Sequence, residues 1–139
     1  MPFDALLQNP AAPSRARRAR DGRRSGAVGR GGEMATARWY AREGWREVAR
    51  NWRAGREHGG GEIDLILRRG DLLAFVEVKT RRTLAAAAYA MSPAQRRRIE
   101  AAALRFMELE GAANLDMRFD VVLLDRCGSI EVIDNAFFE

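Results

Sequence analysis

Glu77 and Lys79 stand two residues apart in the run Leu72 to Lys79 (LLAFVEVK), and Asp64 lies in the run before it, Glu62 to Arg68 (EIDLILR). Both runs are rich in branched and aromatic residues and read as strands. Strand side chains alternate, so Glu77 and Lys79 share a face with Phe75, while Leu72, Ala74, Val76 and Val78 take the other. Arg69-Gly70 has the composition of a tight hairpin. A turn there sets Asp64 opposite Phe75 and one diagonal step from Glu77 on the same face, and a one-residue slip would carry it to the other side. Two carboxylates that close repel one another unless a proton or a cation lies between them, and among oxygen ligands that cation is Mg²⁺ or Mn²⁺. A neighbouring lysine can offset charge developing on a phosphate and orient or help deprotonate a water, while the metal acts as Lewis acid. This is equipment for hydrolysing a phosphodiester. The same spacing also fits a cross-strand salt bridge on a solvated face, and spacing alone leaves both readings open.

Lysine usage sharpens the point. Of the 24 basic residues only Lys79 is lysine. A guanidinium cannot imitate a compact ammonium whose pKa shifts on burial, so the one position that remains lysine in an arginine-rich chain draws attention to itself.

The elements that would carry these residues follow from periodicity and punctuation. Glu33 to Glu43 has Ala37, Tyr40 and Ala41 at helical spacing and stops at Gly44, with Gly29 to Gly32 as a hinge before it. Trp45 to Trp52 suits a first strand, and Arg53 to Gly61 is a loop. Ala85 to Met91 is small and ambiguous. Ser92-Pro93-Ala94-Gln95 reads as a capping box opening a second helix to about Glu110, its inner face Ile99, Ala102, Ala103, Phe106 and Leu109, with Arg96, Arg97 and Arg98 at its start. Met117 to Asp125 and Ser129 to Asn135 are two further strands around Gly128. The order α-β-β-β-α-β-β implies an α/β fold, a mixed sheet flanked by helices.

The chain's 139 residues, 47% hydrophobic and 31% charged, suit one globular domain and exclude a fibre or a multidomain enzyme. No apolar run reaches membrane-spanning length and Met1 to Leu7 is too short for a signal sequence, so a cytoplasmic location with no membrane partner is expected. Cys127 alone can form neither an internal disulfide nor a thiolate zinc site, and it reads as a turn residue. The net charge of +5 is unevenly spread. Residues 1 to 32 hold seven arginines against Asp4 and Asp21, whereas residues 33 to 139 hold 17 basic and 17 acidic side chains. Residues 1 to 27 thus read as a disordered Arg-rich arm drawn to polyanions, in front of a domain at 28 to 139. General arginine abundance, or a translation start further in, would explain the arm equally well.

Gly61-Glu62-Ile63-Asp64-Leu65-Ile66 followed by Glu77-Val78-Lys79 resembles the Asp…Glu-x-Lys core of the PD-(D/E)xK nuclease superfamily, the restriction-endonuclease-like fold. Together with GGE (31 to 33), Asn51 at a strand end, FVEVKTR (75 to 81), RFDVV (118 to 122) and NAF (135 to 137), the chain is similar to the YraN-like bacterial family of expected nucleases related to Holliday junction resolvases. The likeness covers roughly residues 28 to 139. It implies that Asp64 and Glu77 hold the metal with the Val78 carbonyl, that Lys79 is the catalytic lysine and that Glu33 is an accessory carboxylate; Glu62 is a weaker candidate for the same cleft. The superfamily's proline before the aspartate is Ile63 here. A family lysine near Gln95 is missing, and the capping box accounts for Gln95 without catalysis, although it could bind phosphate or a metal-bound water. Arg56, His58 and Arg81 are candidates for touching substrate.

The expected activity is therefore metal-dependent hydrolysis of DNA, with branched or recombination structures as the implied substrates and a bacterial cytoplasmic setting. The rival is a non-catalytic nucleic-acid-binding module of the same fold within a repair or recombination complex. RNA stays open as a partner because phosphate recognition does not distinguish sugars. A homodimer follows by analogy alone.

Overall fold

Apolar alternation turns successive runs of the chain into strands of one mixed sheet in the computed structural model, which describes residues 17–20, 28–88 and 90–136. In chain order the elements are β1 (Arg17–Arg20), α1 (Val28–Arg42), β2 (Arg46–Arg53), a 3-10 turn (Arg56–His58), β3 (Glu62–Arg69), β4 (Leu72–Thr80), α2 (Leu84–Ala88), α3 (Pro93–Glu110), β5 (Asp116–Leu124) and β6 (Ser129–Ile133). The strands lie in the order β1-β6-β5-β4-β3-β2. β4 and β5 run parallel and the other described neighbours antiparallel. A parallel pair needs a long crossover, and α2 with α3 supplies it. The expected α/β sheet flanked by helices is thus what the chain forms, in keeping with a restriction-endonuclease-like arrangement. Two elements enlarge the expected order. Small residues at 84–88 form α2, and four arm residues pair with β6 from Arg17↔Val132 to Arg20↔Ser129. Residues 1–16 and 21–27, the rest of the segment read as a disordered arm, lie outside the described residues.

Each face of the sheet has its own core. Leu65, Leu67, Ala74, Val76, Val122 and Leu124 pack under Trp39 and Tyr40 of α1. Ile66, Leu73 and Phe75 pack under Ile99, Ala102, Ala103 and Phe106 of α3. Burying such side chains contributes roughly 1.5–3 kcal/mol each, so both helices are held by the sheet rather than by their own propensity. The face assignment expected for β4 holds: Glu77 and Lys79 lie on the α3 side with Phe75.

Three expectations need correction. Arg69 pairs with Leu72, so the hairpin loop is Gly70-Asp71 rather than Arg69-Gly70. Gly70, at φ 64°, stands first of two loop residues, the glycine position of a II′ turn. Gly29 to Gly32 is no hinge, because α1 begins at Val28 and runs through it. A Cβ on Gly32 would lie 2.8 Å from Leu124 Cδ1 and from Thr80 Oγ1, so the missing side chain is what lets this turn rest on the ends of β4 and β5. Leu109 is 55% exposed and Met107 is buried in its stead, since the buried stripe of α3 runs to the Ala103–Met107 side.

Candidate active site

The site begins where β3 and β4 stop pairing. Their last rung is Leu65↔Val76, and the next would set Asp64 directly across from Glu77. The two-residue shift from the expected register leaves Asp64 on the expected face, since strand facing has a period of two. Leu65 belongs to the α1-side core and Ile63 to the α3-side core, although residues two apart in a regular strand share a face. β3 therefore twists through Asp64. Its carboxylate enters the gap between the strands, where Oδ2 accepts the Val78 backbone N–H at 2.8 Å. The Val78 N–H thus steadies Asp64, a bond separate from the metal contact expected of the Val78 carbonyl. On the other side of β3, Arg50 pairs with Leu65 and Trp52 with Ile63, which puts Asn51 beside Asp64. Asn51 has φ 53°, a left-handed conformation that asparagine tolerates better than most residues.

Glu77 and Lys79 are nearly enclosed, with side chains 8% and 10% exposed. Lys79 Nζ lies 2.9 Å from Glu77 Oε2 and donates to Gln95 Oε1, also at 2.9 Å. Gln95 Nε2 donates to the same Glu77 oxygen at 2.9 Å. The capping-box expectation is half met. Ser92 Oγ accepts the Gln95 N–H at 3.1 Å and caps α3, but the Gln95 side chain reaches into the site instead of back to the Ser92 backbone. Two charged groups offer its amide stronger partners than one neutral N–H. The oxygens left without one of these donors are Asp64 Oδ1 and Glu77 Oε1.

Electrostatics mark the pair as unfinished. Burial, then the charge of Glu77, lifts Asp64 to about 7, against the opposing pull of the Val78 N–H. A proton or a cation between the two carboxylates relieves that strain. Glu33, half-buried near the start of α1, is also raised, first by burial and then by Asp64, while a hydrogen bond from the Asn51 side chain and the charge of Arg50 pull it down. The structure thus brings Glu33, Asp64, Glu77, Lys79 and Gln95 to one end of the sheet, with Glu62 close enough to act on Asp64.

A cleft of about 200 Å³ opens there, lined by Gly60, Gly61, Glu62, Asp64, Glu77, Gln95, Arg98 and Ile99. A Cβ on Gly61 would lie 2.5 Å from the Arg98 carbonyl oxygen, so only glycine lets the start of β3 rest against α3 and keeps Gln95 within reach of β4. Arg56 and Arg81 are exposed outside this lining, and Arg81 donates to the Thr80 carbonyl. Arg98 was missed as a lining residue; its spacing of three from Gln95, one helical turn, was the available signal. Register puts Arg53 and Glu62, Thr80 and Leu124 at the same end of the sheet. Arg53, Arg56, Arg81, Arg82, Arg97 and Arg98 are exposed; Arg98 lines the cleft and Arg53 ion-pairs with Glu62 at 3.6 Å. Cys127 is exposed in the β5–β6 turn, as expected.

Residues 32–124 match the model of the family described as "Uncharacterised protein family UPF0102". A UPF0102 protein of Ruegeria pomeroyi is 44% identical over 117 residues, covering 84% of this chain and 92% of the relative. One from Paramagnetospirillum magneticum is also 44% identical over 117 residues, covering 84% and 87%. One from Roseobacter denitrificans is 40% identical over 119 residues, covering 85% and 89%. No described helix is long and apolar enough to cross a membrane.

Proposed function

Given that this chain belongs to the UPF0102 family, we propose that it hydrolyses phosphodiester bonds of DNA with Mg²⁺ or Mn²⁺ held by Asp64 and Glu77. The observation that carries this reading is a pair of adjacent carboxylates, Asp64 and Glu77, hydrogen-bonded to one another beside an enclosed lysine, with Asp64 lifted to about 7. Hard oxygen donors suit these cations, and Mg²⁺ characteristically takes one or two carboxylates and completes its shell with water. When bound, the metal supplies Lewis-acid activation of water and phosphate. The chain's own groups do the rest. Asp64 is fixed by Val78, so its remaining oxygen has a set direction. The Lys79 ammonium meets the charge that builds on phosphate oxygens as the bond breaks. Arg98 lines the cleft, a cation suited to a phosphate of a bound strand.

The test is cleavage of duplex, single-stranded, flapped and four-way DNA, and of matching RNA, with Mg²⁺ and Mn²⁺. Wild-type protein is expected to cut at least one DNA only with metal, and Asp64→Ala to abolish cutting. Lys79→Arg keeps the charge but not the compact ammonium, and should fold, bind DNA and lose roughly a hundredfold or more in cleavage. Tight binding with no cleavage under either metal would favour the binding module instead.

A further inference from the structure

We propose that Gln95 is the positioning residue of this site, acting through Lys79 and Glu77. The inference rests on the hydrolytic reading above for its catalytic consequence, but its geometry stands apart from it. The amide is wedged between a cation and an anion, Oε1 towards Lys79 and Nε2 towards Glu77. The flipped amide would aim N–H groups at the ammonium and oxygen at the carboxylate, so the charges themselves dictate its orientation. Two jobs follow. Gln95 holds the ammonium off the far Glu77 oxygen, and with Lys79 it occupies Oε2, so that Glu77 can meet a cation through Oε1 alone. Without it, the ammonium keeps one of these two partners, Glu77 Oε2, and is no longer held in place.

The side chain is placed by α3 rather than by the strand that bears its partners. Ser92 caps the helix on the Gln95 N–H, and Gly61 lets β3 touch the α3 backbone at Arg98. Gln95 therefore ties the seating of a helix to the geometry of the lysine and carboxylate on β4.

Lys79 is the only lysine, so amine acylation mapped by peptide mass spectrometry reads this one side-chain ammonium apart from the N-terminal amine and the exposed Cys127 thiol. Gln95→Met keeps length and helix propensity but loses both hydrogen bonds; Gln95→Glu keeps an acceptor for Lys79. In metal-free protein, acylation of Lys79 should rise roughly tenfold in Gln95→Met, the ratio given by losing one hydrogen bond to a charged group. Gln95→Glu should stay at the wild-type rate, and thermal unfolding should show both variants folded. For cleavage, Gln95→Met should lower kcat and raise the Mn²⁺ concentration needed, with KM for DNA little changed. A wild-type acylation rate in Gln95→Met, or equal acceleration in Gln95→Glu, would overturn the role given to Gln95. Absence of cleavage in every protein, with the acylation contrast intact, would sink the hydrolytic reading and keep that role.

Discussion

Two carboxylates lie on opposite faces of the same sheet, Asp120 buried and Asp64 half-buried, and they are treated differently. On the α1 face Asp120 is answered on all sides. Tyr40 donates to Oδ2 at 2.6 Å, Arg118 reaches Oδ2 at 3.1 Å and Oδ1 at 3.0 Å, and the Asn135 N–H meets Oδ1 at 2.9 Å. Arg118 in turn lies over the Trp45 ring at 4.8 Å. Burial still holds Asp120 above the ordinary carboxylate value and pushes the Tyr40 hydroxyl well up. On the α3 face Asp64 has one backbone N–H and faces a second carboxylate. Each side even uses a left-handed asparagine, Asn135 at φ 55° and Asn51 at φ 53°. Burial alone therefore does not mark a reactive group. What distinguishes the α3 side is that two adjacent carboxylates share one lysine there, whereas Asp120 has Arg118 to itself.

The largest expected effect breaks the closed side. Asp120→Ala strands the Arg118 guanidinium in the core, and urea unfolding should show a loss of about 3–5 kcal/mol. A loss under about 1 kcal/mol would mean that the network is no more than a surface pair.

On the open side the sign reverses. Asp64 is raised from 3.8 to about 7, so the stability it contributes is fully present below pH 3.8 and lost as pH rises through about 7. Asp64→Asn should remove that decline and make metal-free protein more stable at pH 8, by up to about 4 kcal/mol. Mg²⁺ should stabilise wild type by about 2.7 kcal/mol at a hundred times Kd and leave Asp64→Asn unmoved. Thermal melts across pH, with and without metal, check both statements; a wild type indifferent to millimolar Mg²⁺ would count against a formed site.

The smallest effect separates the two asparagines. Asn135 serves Asp120 through its backbone, so Asn135→Gly should be nearly silent. Asn51→Gly keeps the backbone but deprives Glu33 of its partner, and the Glu33 carboxyl should titrate higher by NMR. Asn51→Ala adds left-handed strain and should melt below Asn51→Gly by about 1–2 kcal/mol. Equal melting of the two Asn51 variants would remove strain from this account.

Asp64, Glu77 and Lys79 were legible in the sequence because strand facing depends only on parity. The turn was misplaced, yet the register moved by two and each facing survived. Gln95 was half legible, a candidate for the cleft as well as a cap, because the third helical position after Ser92 suits both and only β4's position decides between them. Asp120 passed unnoticed between Phe119 and Val121, since its partner Tyr40 is 80 residues away. Leu109 and Met107 lie on opposite flanks of one helical stripe, and the tilt that chooses between them comes from packing.

The sheet ends at β2, whose outer edge no described strand covers. An open edge invites a second chain to add on and seed fibres. Here the ladder slips between Glu47 and Ala49, and a left-handed residue interrupts the pleat at Asn51. Exposed Arg46, Glu47, Arg50 and Arg53 add charge along the same stretch. The irregularity that sets a carboxylate at one strand's end thus also makes this edge a poor template for aggregation.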